Sequence, residues 1–253
     1  MDMNDSSIIA GRNAVNEALR ADRPIAAVYV QRGSRSGSVV AILAKAGKKN
    51  IPIKEVDAKK LDFLCGHAVH QGIAASVAVK EYADLEELFA LAEKRGEPPF
   101  FILCDGLADP HNLGAIIRTA ECAGAHGVIV PKHRSVGLTA AVGKASAGAV
   151  EHLPVARVTN LADTIDTLKK RGVWIYAADM DGQTWCETDF SGAAALVIGS
   201  EGDGVSRLIR EKSDFIVSLP MKGRINSLNA SVAAGILCFE VSRQRSRLNA
   251  VNP

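Results

Sequence analysis

Apolar residues along this chain gather into short continuous runs, and between the runs they recur at helical spacing. In the first eighty residues, Ile8 to Gly11 leads into a helix whose apolar positions are Ala14, Val15, Ala18 and Leu19. Ile25 to Val30 reads as a strand, Val39 to Ala46 as a helix and Ile51 to Val56 as a second strand. Asp57 to Leu64 reads as a short helix and Ile73 to Val79 as a third strand. Alternating helices and strands predict a small α/β domain. Lys80 to Asp84 reads as a linker, followed by an acidic helix, Leu85 to Arg95, that Pro98 and Pro99 close off.

The same alternation continues to the end. Phe100 to Cys104 (FFILC) has no polar position, as expected of a parallel strand covered on both faces. Further strands are expected at Gly127 to Val130, Pro154 to Val158, Val173 to Ala178, Leu196 to Ile198 and Phe215 to Leu219. Helices are expected from Leu113 to Ala123, Leu138 to Ala149, Leu161 to Arg171, Arg207 to Lys212 and Ala230 to Arg243. The expected organisation is residues 1–79, a linker and connecting helix over 80–98, and a parallel-sheet domain over 99–253. In such sheets ligands sit where loops leave the carboxyl ends of strands. Pattern alone predicts a doubly wound, unknotted domain.

Composition narrows the classes. Hydrophobic residues make up 47% and charged residues 23%, within the globular range. No apolar run approaches the length of a membrane span, and the N-terminus lacks the pattern of a secretory signal. The five cysteines are scattered without a C-x-x-C pair, which predicts reduced thiols, a cytoplasmic protein and no zinc site. The net charge of +2 is unevenly spread. Residues 1–80 hold 12 Lys or Arg against 7 Asp or Glu, and the remainder 18 against 21. A basic first third suits RNA phosphates, and equally a solvated face. Arg12, Arg32 and Arg35, with His67, His70 and Gln71, are candidate RNA contacts or ordinary loop residues.

Three stretches carry candidate chemistry: Asp105–Ala123 (DGLADPHNLGAIIRTAECA), Leu196–Leu208 (LVIGSEGDGVSRL) and Leu219–Glu240 (LPMKGRINSLNASVAAGILCFE). Each carries a loop that leaves the end of an expected strand. In the third, Ser227 and Asn229 stand at a helix entrance, where either can cap the first turn or line a pocket. In order and spacing, the three resemble the signature motifs of the SpoU (TrmH-type) RNA ribose 2′-O-methyltransferases of the SPOUT class. The likeness covers nearly the whole chain. It is closest to the subgroup that methylates a guanosine ribose in 23S ribosomal RNA.

The resemblance implies an α/β trefoil-knot domain at the C-terminus and an L30e-like substrate-binding domain at the N-terminus. It implies S-adenosyl-L-methionine as cofactor, with Gly199, Leu219 and Leu228 in contact with it, and no metal. Arg118 would face the acceptor ribose, and six residues from Asn112 it is expected to lie near that side chain. A guanidinium stays protonated, so its expected part is to hold phosphate and ease alkoxide formation rather than to act as base. Asn112, Glu201, Ser227 and Asn229 would order the loops or contact the acceptor. The implied partners are a loop nucleotide of 23S ribosomal RNA and a second copy of the chain, with no DNA and no membrane. Ile236, Leu237 and Phe239 are candidates for that interface or for the core. The rival readings are a tRNA ribose methyltransferase and a non-catalytic RNA-binding or ribosome-assembly protein. A nicotinamide oxidoreductase is disfavoured because DGLADPHN stands where G-x-G-x-x-G would be.

Overall fold

In the computed structural model, residues 6–21, 25–34, 36–66, 68–78 and 81–251 are described. The chain divides into two compact units, residues 1–81 with 138–152, and residues 82–137 with 153–253.

The first unit opens with a strand that the sequence pattern missed, β1 (Ser6–Ala10), followed by α1 (Arg12–Arg20). β2 (Ile25–Gln31), α2 (Gly37–Lys48), β3 (Ile53–Val56), α3 (Ala58–Leu64) and β4 (Ile73–Ala78) follow. The strand order is β1-β4-β2-β3. β4 runs antiparallel to both neighbours, and β2 runs parallel to β3. The reason β1 escaped notice is its partner: five residues gain their pairing from β4, seventy residues away in the chain. One face of the sheet meets α1 and α2 through Val15, Leu19, Val28, Val39, Ile42 and Ile73. The other meets α3 through Leu61, Val56 and Ala74.

Residues 138–152, expected in the second domain, belong to this unit. They form α6 (Ala140–Ala145) and a 3₁₀ turn at Ala149–Glu151, not one continuous helix. His152 Nε2 lies 2.9 Å from Glu17 Oε2. Gly148 packs so tightly that a Cβ there would come within 2.5 Å of Glu17 Cβ. The small residues of KASAGA permit this approach, and no periodicity could indicate it.

The second unit begins with α4 (Leu85–Arg95), capped by Asp84 in a capping box with Glu87. Expected as a connecting helix, α4 instead buries Leu88 in one cluster with Phe101, Leu103 and Ile129. A Cβ on Gly127 would collide with the Leu88 side chain at 2.3 Å, so the helix lies directly on the sheet. Then come β5 (Phe100–Cys104), α5 (Pro110–Cys122), β6 (Gly127–Pro131), β7 (Val155–Val158), α7 (Leu161–Lys170), β8 (Trp174–Thr184), β9 (Ala194–Ile198), α8 (Arg207–Lys212), β10 (Phe215–Ser218) and α9 (Ala230–Val251). The six strands are all parallel, in the order β10-β8-β9-β5-β6-β7. Every residue of β5 and of β9 is buried, as the unbroken apolar runs predict.

Two departures from regularity shape the functional end. β8 pairs with β10 at Tyr176 and Ala177 and again at Gln183 and Thr184, so residues 178–182 swing out of the ladder. Gly182 closes this excursion. A Cβ there would come within 2.4 Å of the Ile216 backbone. β10 sits at the edge of the sheet, whereas α9, which follows it, returns to pack on α5 and β9.

Candidate active site

The loops that follow β5, β9 and β10 leave the carboxyl ends of their strands, so the sheet gathers them at one end. Asp105, immediately after β5, accepts a hydrogen bond from the Ser206 backbone N–H at 2.7 Å, which ties the first loop to the second. The second loop folds back on itself. Ser200 and Gly204 exchange both backbone hydrogen bonds, at 3.1 and 3.0 Å. A Cβ on Gly199 would fall within 2.1 Å of the Gly204 backbone, so only glycine fits at Gly199.

The three loops meet through side chains. Asn112 Nδ2 donates to Glu201 Oε1 at 3.0 Å. Asn229 Nδ2 donates to Asn112 Oδ1 at 2.9 Å and also to Glu201 Oε1. One residue from each motif thus enters a single closed network. Asn229 is also the N-cap of α9. Its Oδ1 accepts from the Ser231 and Val232 backbone N–H groups at 3.0 and 3.3 Å and from Ser231 Oγ at 2.6 Å. Capping and site-building therefore use opposite ends of one amide. Ser227 lies in the preceding loop and is not the cap.

Beside this network is a cavity of about 280 Å³. Its walls include Gly199, Glu201, Leu219, Ser227 and Leu228, five of the residues singled out in the sequence. They also include Ala178, Asp179 and Met180 from the β8 excursion, which sequence reasoning missed. The stretch ADMDGQT reads as a polar loop, and nothing local marks it as pocket wall. Asp179 is anchored by Arg210 on α8 at 3.0 Å.

Arg118 is placed differently from expectation. It is exposed and absent from the cavity wall, whereas Asn112 on the same helix is buried. At about 100° per residue a six-residue step turns roughly 600°, which leaves the two side chains some 120° apart. The expected shared facing was a phasing error. Of the proposed interface residues, Leu237 is core, whereas Phe239 is 53% exposed, and with Val232 and half-buried Ile236 it forms an outer stripe of α9.

Burial pushes the Cys104 thiol up to about 12, with Asp105 adding to the effect, and raises Cys238 as well. Both therefore remain protonated and serve as packing. Among the described residues no cluster of His, Cys, Asp and Glu could hold a metal ion, and no helix is long and apolar enough to cross a membrane.

In the first unit, Arg12 ties the turn at Gln71 to the first turn of α2. Its Nε donates to the Gln71 carbonyl at 3.2 Å and Nη1 to Ser38 Oγ at 3.1 Å. His70 Nδ1 accepts from the Gly72 N–H, and Nε2 lies 3.0 Å from Asp62. Arg32 is exposed. Arg35 and His67 lie outside the described residues, as do Val79 and Lys80 at the expected linker.

Residues 99–239 match the model of the SpoU rRNA methylase family, and residues 8–83 match that of the RNA 2′-O ribose methyltransferase substrate-binding domain. The chain belongs to the SpoU family. It is an RNA 2′-O-ribose methyltransferase that uses S-adenosylmethionine, with the family's α/β fold and N-terminal substrate-binding domain. YacO of Bacillus subtilis, a protein named for the TrmH family of tRNA/rRNA methyltransferases, is 48% identical over 94% of this chain and 96% of its own length. The SpoU methyltransferase AviRb of Streptomyces viridochromogenes, solved with AdoMet, is 25% identical with a TM-score of 0.78 over 96% of this chain and 91% of its own. An AdoMet-bound rRNA methyltransferase of Sinorhizobium meliloti is 26% identical with a TM-score of 0.77, covering 94% of this chain and 87% of its own.

The SpoU cavity of this chain suits that cofactor on its own chemistry. Leu219, Leu228, Met180 and Val217 offer apolar surface for an adenine ring, and the close approach of Gly199 to the Gly204 backbone fixes the loop that forms another wall. Asp179, Glu201 and Asp203 are among the residues that line the same space, with Asp179 paired to Arg210 and Glu201 held by Asn112 and Asn229.

Proposed function

We propose that this SpoU enzyme methylates the ribose 2′-hydroxyl of a guanosine in a loop of 23S ribosomal RNA, in the cytoplasm, during assembly of the large subunit. The observation that carries the reading is the closed Asn112–Glu201–Asn229 network beside a cavity lined by Gly199, Leu219, Ser227 and Leu228. A ribosomal acceptor is supported by the extent of the likeness. The S. meliloti rRNA methyltransferase matches 94% of the chain, substrate-binding domain included, whereas an Aquifex aeolicus TrmH/SpoU tRNA modifying enzyme matches 65%.

In this reading Gly199, Leu219 and Leu228 hold the cofactor, which supplies an electrophilic methyl group on a sulfonium. Asn112, Glu201 and Asn229 fix the loops around it, and Ser227 meets the acceptor nucleotide. The acceptor is a loop nucleotide, because its 2′-hydroxyl must reach the cavity, and that hydroxyl marks RNA against DNA. Arg118 binds the phosphate next to the acceptor and stabilises negative charge developing on the 2′-oxygen. Arg118 is exposed and does not line its own chain's cavity, which supports a reading in which it serves the site of a second copy within a homodimer. The return of α9 from the edge strand to the sheet centre is the step at which the family's knot would be threaded.

Mass mapping of ribosomal RNA from a strain lacking the gene tests this. One 2′-O-methylguanosine of 23S RNA is expected to disappear and to return when that RNA is treated with purified protein and S-adenosylmethionine. Retention of every such residue overturns the substrate assignment.

A further inference from the structure

The short helix α3 (Ala58–Leu64) turns one side to the sheet and another to solvent. Leu61 is fully buried, yet Phe63 is 78% exposed. At about 100° per residue, Phe63 and Lys59 lie within roughly 40° of each other on the side opposite Leu61, with Lys60 beside them. Phe63 is the most exposed aromatic side chain among the described residues, and Lys59 and Lys60, both exposed, stand beside it on the helix. Asp57 accepts from the Lys60 N–H at 2.7 Å, and Asp62 lies 3.0 Å from His70 Nε2. The outer face of α3 thus carries an exposed aromatic side chain and two exposed lysines, on a domain that matches an RNA substrate-binding model.

We infer that Phe63 is a stacking platform for one unpaired nucleobase of the RNA substrate, with Lys59 and Lys60 on the phosphates either side of it. Aromatic rings accept bases by stacking, and lysines track the backbone, a pairing suited to single-stranded loops and not to duplex. The domain would then select an unpaired nucleotide other than the one that is methylated. This inference rests on the proposed RNA substrate and adds the contact by which the N-terminal unit selects it.

The test uses the full-length protein and RNA hairpins carrying 2-aminopurine in an unpaired loop, read by fluorescence quenching and by anisotropy. Wild-type protein is expected to quench the probe. Phe63→Ala is expected to abolish quenching and weaken binding about 5- to 150-fold, the range for losing one stacked base. Phe63→Trp should restore both, whereas Phe63→Leu, apolar without a π-face, should not. Lys59→Gln with Lys60→Gln should flatten the salt dependence of binding, which Phe63→Ala should leave steep. Binding and quenching by Phe63→Ala equal to wild type overturn the inference alone. So does a change in oligomeric state in Phe63→Ala with RNA affinity intact, which would assign the ring to a protein contact. Wild-type protein that binds no RNA and transfers no methyl group overturns this inference and the functional reading together.

Discussion

Asn229 shows how one side chain can serve two ends. Its oxygen caps α9, and its NH₂ group donates to Asn112 and Glu201. Asn229→Asp separates these uses. The aspartate keeps the cap, because it still accepts from the Ser231 and Val232 N–H groups, but it has no NH₂ to donate and sets a second carboxylate beside Glu201. Asn229→Ala loses the cap as well, at about 1 kcal/mol. Thermal unfolding should therefore rank wild type and Asn229→Asp above Asn229→Ala, whereas methyl transfer should collapse in both variants. Active Asn229→Asp protein would show that donation to Glu201 is dispensable. Asn229 was legible in the sequence because an amide before an apolar run is a capping signal. Arg118 was misplaced because its relation to Asn112 depended on helical phase, and a step of six residues does not return to the same face.

At the scale of elements, the start of β5 carries a buried pH-sensitive clamp. The Phe100 N–H donates to His126 Nδ1 at 3.0 Å, so the ring proton sits on Nε2, which faces Glu97 at 3.0 Å. Arg245 of α9 spans the same end, donating to the carbonyls of Pro98, Pro99 and Gly192. Burial holds the His126 imidazole below its ordinary range, outweighing the Glu97 hydrogen bond, with Arg95 and Arg245 adding to the depression. In the unfolded chain the ring titrates near 6.5. Above that pH both states are neutral and the stability is fully present. As pH falls below it, the unfolded state takes up the proton first, and stability drops by up to about 1.4 kcal/mol per pH unit until the folded ring protonates. Denaturant unfolding between pH 7.5 and 5 should show this slope, and His126→Gln should flatten it. An equal slope in the variant would assign the acid sensitivity elsewhere. Elements such as β5 and β9 were legible because a strand buried on both faces has no polar position. The β8 excursion was not, because its five residues look like any polar loop until β10 pairs on both sides of it.

The whole molecule poses the question of composite sites. Arg118 lies outside its own chain's cavity, and α9 presents Val232, Ile236 and Phe239 on an outer stripe at spacings of four and three. In a homodimer with sites shared between chains, Arg118→Ala and Glu201→Ala should each be inactive alone. Mixed after unfolding and refolding together, they should regain activity, to about a quarter of wild type if subunits assort randomly and one site in each heterodimer is intact. Absence of any recovery would place Arg118 in its own chain's reaction. The membership of residues 138–152 in the first unit was not legible from the alternation of elements. Their packing depends on small residues fitting against Glu17, a match of shapes that no periodicity carries.

The cavity wall draws on positions from Ala178 to Ala233, and the first residue of its supporting network is Asn112. A nascent polypeptide therefore has no complete pocket until Ala233 has been synthesised. The donor molecule cannot serve as an early folding template, and chains truncated ahead of α9 would be released unable to bind it, however well their first strands had formed.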